Sequence, residues 1–66
     1  MKYYIVVLDT GDKYGPYDDA WSAEGKAKTS GMRTAVIDSD NNVICGYSRY
    51  GVRIEPEGQK KLQEVL

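Results

Sequence analysis

Sixty-six residues carry 9 Lys+Arg against 10 Asp+Glu, a net charge of −1, with one cysteine and no histidine. A chain this short is read as a single domain spanning residues 1–66, near the lower limit for independent folding, where only about 60% of the extended-chain surface is hidden. The near-neutral balance argues against a charge-driven nucleic-acid coat, the lone cysteine excludes an internal disulfide, and the missing imidazole removes His-assisted nucleophile pairs, zinc sites and bases.

Residues 2–8, Lys-Tyr-Tyr-Ile-Val-Val-Leu, are β-branched or aromatic at nearly every position and stop at the turn-forming run Asp9-Thr10-Gly11-Asp12, which reads as a first strand. Lys13 and Tyr14 ahead of Gly15-Pro16 suit a short return strand, confined by proline to a sheet edge. Asp18 or Asp19 can cap a helix over about 19–30, because a short carboxylate accepts from the free N–H groups of the first turn. Ala20, Ala23 and Ala27 give that helix a thin buried stripe, Trp21 and the Lys28 stem border it, and Gly31 is placed to end it.

Residues 33–38 form the next strand, Ser39-Asp40-Asn41-Asn42 a turn whose asparagines tolerate positive φ, and residues 43–50 the returning strand. Pro56 suits the first position of a closing helix with Glu55 and Glu57 at its positive end, and Leu62, Val65 and Leu66 with Ile54 form its apolar stripe. The expected order is β(β)αββα: an α+β fold with a small, mainly antiparallel sheet of three to four strands and two short helices.

A sheet covered on one side alternates apolar with polar residues, and these strands do not. Tyr3, Ile5 and Val7 oppose Tyr4, Val6 and Leu8; Ala35 and Ile37 oppose Thr34 and Val36; Ile44 and Tyr50 oppose Val43, Cys45 and Tyr47. Both faces therefore need cover. Two short helices either split between the faces or share one and leave an apolar patch for a partner or a second copy; the second arrangement is the one expected here, and it implies a homodimer.

Six tyrosines and one tryptophan, with no phenylalanine, fit surfaces buried only on binding, since a tyrosine joins a rigid contact area to a wettable end. Two contact patches are expected. Tyr47, Arg49, Tyr50 and Arg53 form one, and Tyr14, Tyr17 and Trp21 the other. Half-buried packing at the edge of a small sheet is the plainer account of the same tyrosines.

No cofactor or metal site is expected. The run from Asp38 to Asn42 resembles the start of a calcium loop, but its twelfth position is Arg49, where a bidentate carboxylate is required. Asp9, Asp12, Asp18 and Asp19 are read as turn and cap residues rather than a magnesium site. Cys45 lies in an internal strand without a base beside it and is read as an inert core thiol. The longest apolar run near the N-terminus, Tyr3 to Leu8, is too short for a membrane span or signal core, so a cytoplasmic location is expected.

The outline of a strand, Gly-Pro-Tyr, an Asp-Asp-Ala-Trp helix start, glycine, a strand, an Asp-Asn-Asn turn and a strand, over residues 3–45, resembles short bacterial and bacteriophage reading frames in topology. The functional expectation is a non-enzymatic protein-interaction module of prokaryotic or phage type, a regulator, adaptor or inhibitor. The alternative is a nucleic-acid-binding module that stacks bases on Tyr47 and Tyr50 and pairs phosphates with Arg33, Arg49 and Arg53.

Overall fold

The computed structural model describes residues 1–56. Its elements are β1 (Tyr3–Val7), β2 (Lys13–Tyr17), α1 (Ala20–Thr29), β3 (Thr34–Asp38), β4 (Val43–Tyr47) and β5 (Arg53–Ile54). The strands form one antiparallel sheet in the order β2-β1-β3-β4-β5. The fold is α+β as expected. It has five strands rather than three or four, and one helix among the described residues; the closing helix expected after Pro56 lies outside them.

Local chemistry explains the boundaries. Asp19 Oδ1 accepts from Ser22 N–H at 2.7 Å and caps α1, satisfying one of the donors that a helix start leaves free. At the other end the Ser30 hydroxyl donates to the Ala27 carbonyl at 2.9 Å, and Gly31 takes φ +74°, the left-handed conformation that reverses the chain after a helix. The β3–β4 turn is built by Asp38, whose Oδ1 accepts from the N–H groups of Asp40 and Asn42, both at 2.9 Å. Asn41 sits at φ +66°.

Cα register assigns the two faces. Ile5, Val36 and Cys45 lie opposite one another, as do Val7, Thr34 and Tyr47. These side chains share the first face with α1, and Ile5, Val36, Cys45 and Tyr47 pack with Ala23 and Ala27 in one buried cluster. Alanines on the helix let it approach the sheet closely, which compensates for the few large side chains available.

Tyr4, Val6, Ala35, Ile37 and Gly46 belong to the second face. A separate buried cluster, Val6, Ile37 and Val43 with Tyr4 against it, forms there and contains no residue of α1. One expected alternation is corrected: a register shift between Val36 and Ile37 pairs Ile37 with Val43, while Ile44 packs against the first cluster. A bulge places two residues opposite one and so reverses the facing of everything beyond it.

Thr34 is buried on the first face, and its hydroxyl has no hydrogen-bond partner among the described residues. A buried hydroxyl without a partner loses its hydration for no return. Thr34→Val is therefore expected to raise the unfolding free energy by about 1 kcal/mol, read as a higher urea midpoint with an unchanged slope.

Candidate interaction surface

The loop from Ser48 to Val52 folds β5 back along β4. The Ser48 hydroxyl accepts from the N–H groups of Tyr50 and Val52 at 3.2 and 3.1 Å, and Ser48 N–H donates to the Val52 carbonyl at 3.0 Å. Two strand residues follow, pairing Tyr47 with Arg53 and Gly46 with Ile54. This short strand separates residues that adjoin in the sequence. Arg53 goes to the helix face and Ile54 to the second face.

On the second face a groove of about 470 Å³ opens beside the Val6–Ile37–Val43 cluster, with Leu8, Ala35, Val43, Gly46 and Ile54 along it. Gly46 leaves the floor low: a Cβ there would lie 3.2 Å from the Thr34 carbonyl oxygen and 3.9 Å from Ile54 Cβ. Arg33, Arg49 and Tyr50 form part of the wall, and Tyr50 is 84% exposed. An apolar floor with a tyrosine and arginine rim is the composition of a contact hot spot.

On the helix side, Glu24 Oε1 gathers three donors from three positions of the sheet: Arg53 Nε at 3.0 Å, Tyr47 hydroxyl at 3.2 Å and Cys45 thiol at 3.3 Å. The second Arg53 nitrogen group contacts Glu55. Partial burial pushes the Glu24 carboxyl up, but the hydrogen bonds from Arg53, Cys45 and Tyr47, with the Arg53 charge, outweigh it and hold the group below its ordinary value. Burial, then the bond and charge of Glu24, push the Cys45 thiol up to about 11; the Tyr47 hydroxyl is raised by the same two causes. Cys45 is thus a protonated donor at neutral pH, the state opposite to a nucleophile.

A carboxyl whose folded pKa lies below its unfolded one stabilises the fold above the unfolded value, and that contribution is lost as pH falls through the folded value. Glu24→Gln is accordingly expected to cost about 1 kcal/mol at pH 7. The difference between the two proteins should begin to narrow below the ordinary glutamate value of about 4.3 and close as pH falls through the lower folded value. Urea titrations of both at pH 7 and pH 3 read it; a gap that persists in acid would place the cost in packing instead.

The two expected patches are rearranged. Arg49 and Tyr50 stand on the groove, while Tyr47 is buried on the helix face with its hydroxyl on Glu24 and Arg53 is drawn to the same face. Trp21 is 85% exposed on α1 and shares a depression of about 530 Å³ with Glu24, Gly25, Lys28 and Tyr47. Tyr14 stands half exposed on the edge strand, and Tyr17 packs against the first cluster. Of the arginines expected to meet phosphate, Arg33 contacts Asp9 at 3.5 Å and Arg53 is held by Glu24.

The acidic residues have separate tasks: Asp9 meets Arg33, Asp12 accepts from the Thr10 hydroxyl, Asp18 meets Lys2, and Asp19 caps α1. Among the described residues no three His, Cys, Asp or Glu side chains come together as a metal site, and no helix is long and apolar enough to cross a membrane. Comparison with protein-family models, with curated proteins and with solved structures found no match to this chain.

Proposed function

We propose that the chain is a cytoplasmic, non-enzymatic protein-interaction module of prokaryotic or phage type, which acts by covering a partner surface as a regulator, adaptor or inhibitor. Its contact surface is the second-face groove, and in isolation two copies pair through it. The supporting observation is the groove itself: an apolar floor of Leu8, Ala35, Val43 and Ile54 beside Arg49 and the exposed ring of Tyr50. Binding there removes apolar area from water while the rim groups keep their hydrogen bonds, the combination that concentrates affinity in few residues.

Light scattering tests the pairing. The 7.4 kDa chain is expected to associate at micromolar concentration, and Arg49→Glu with Tyr50→Ala to weaken that association by about tenfold or more, as loss of a rim anchor does. Trp21→Ala, on the other side of the molecule, should leave it unchanged. Dependence on Trp21 and indifference to Arg49 and Tyr50 would move the contact surface to α1.

A further inference from the structure

We propose that β5 is the edge at which two copies of this chain join, the two strands pairing antiparallel about Ile54 so that Arg53 of each copy lies opposite Glu55 of the other. The inference rests on the self-pairing proposed above and deepens it by naming the margin of the groove along which the copies meet.

A sheet edge presents unpaired N–H and C=O groups and invites another strand. The two edges of this sheet differ. β2 carries Pro16, which has no N–H to give, beside Gly15 at φ +133°, features that interrupt a ladder. β5 closes the other side of the strand order among the described residues and contains neither feature. Val52 and Ile54 there are 61% and 54% exposed, apolar area that an added strand would take from water.

The backbone is turned the right way. Ser48 N–H donates to the Val52 carbonyl at 3.0 Å, and the register continues with Arg53 opposite Tyr47 and Ile54 opposite Gly46. Successive residues of a strand aim their polar groups to opposite sides. Val52 and Ile54 therefore aim theirs at β4, while Arg53 and Glu55 aim theirs outward. Pro56 falls on the inward side, so its missing N–H does not interrupt the outer edge. Centring the two strands on Ile54 sets Arg53 against Glu55 twice over, and each such pair exchanges both of its backbone hydrogen bonds.

That register is also complementary in charge. Arg53 and Glu55 share one side of the strand, where their side chains already meet within the chain, and Arg53 Nε is held by Glu24 at 3.0 Å. A guanidinium has donors to spare, so Arg53 can keep Glu24 and still meet Glu55 of a second copy. Opposite charges facing each other across a strand pair stabilise it, and like charges destabilise it. A two-fold axis supplies the pair twice, because in such a contact Arg53 meets Glu55 and Glu55 meets Arg53. On the second face the Ile54 side chains of the two copies meet at the axis, and the grooves that Ile54 borders adjoin there.

Hydrogen exchange on the full chain tests the proposal. At concentrations where light scattering reports association, the outward amides of Arg53 and Glu55 are expected to gain several-fold protection over the dilute chain, and the amide of Ile54, already directed at β4, to change less. Glu55→Lys places like charges opposite each other at both ends of the register and is expected to weaken association about tenfold. It reverses the sign of the net charge of −1 without altering its magnitude, so general repulsion between copies is unchanged. Association without added protection at Arg53 and Glu55, or association indifferent to Glu55→Lys, overturns the β5 contact; if Arg49→Glu with Tyr50→Ala still weakens pairing, the groove reading stands without it. Protection at both amides that survives Arg49→Glu with Tyr50→Ala retains the β5 contact and refutes the groove rim alone. A chain that stays monomeric at the highest concentration measured overturns both.

Discussion

Gly15→Ala is expected to destabilise the protein by about 3 kcal/mol, the sum of a backbone cost of 1–3 kcal/mol and a steric one. Gly15 has φ +133°, a region essentially closed to residues with a side chain. A Cβ there would also stand 2.9 Å from the Tyr3 carbonyl oxygen and 3.0 Å from Tyr4 Cδ1. The carbonyl belongs to β1, which is held between β2 and β3, so relief requires moving a central strand. In a domain of this size about 3 kcal/mol corresponds to a fall in melting temperature of roughly 15 °C. Gly25→Ala is the matched control: it lies within α1, a Cβ would meet nothing within 4 Å, and alanine should gain about 0.5–1 kcal/mol there. Thermal unfolding of the two variants by circular dichroism separates them. Equal shifts would mean that the strain at Gly15 is relieved by β2 peeling from the sheet edge.

The contrast between these glycines illustrates what a sequence can express. Gly15 beside Pro16 is legible as an edge-strand feature because proline fixes φ and removes a ladder donor while glycine opens conformations closed to other residues, and β2 does form the sheet edge. The same holds for Asp19, Asn41 and Gly31, whose effects stay within a few residues: cap, turn and helix end appear where their chemistry requires. β5 was missed because two residues, Arg53 and Ile54, are too few to show an alternation, and their pairing follows from the Ser48–Val52 turn. The Glu24 cluster was missed for another reason. Glu24, Cys45, Tyr47 and Arg53 meet only through strand register and the placement of α1 over the sheet, neither of which is written in local spacing; the i, i+2 step from Cys45 to Tyr47 was the single available signal. The bulge at Ile44 likewise depends on pairing between strands, and it moved Val43 to the face expected for Ile44. Two-sided apolarity, by contrast, is a property of side chains alone. It was readable directly, and both a covered face and a second apolar cluster are present.

Ile37→Ala measures how well that second face is sheltered. On a sheet surface open to water the change would cost under about 0.5 kcal/mol, because the removed atoms would already be hydrated. For a side chain at 0% exposure both the transfer free energy and the cavity left behind count, and the expected loss is about 3 kcal/mol. Val36→Ala, on the first face under α1, supplies the internal scale, since Val36 is also 0% exposed but loses fewer atoms. If both faces are equally enclosed, Ile37→Ala should exceed Val36→Ala in denaturant titrations, in proportion to the atoms removed. An Ile37→Ala loss well below the Val36→Ala value would mean that the second face opens to solvent much of the time, and the strand residues Val6, Ala35 and Ile37 would then be sheltered chiefly when a partner is bound. The pair of substitutions thus assigns the burial of this small sheet either to the chain itself or to association, which is the distinction on which the proposed interaction role turns.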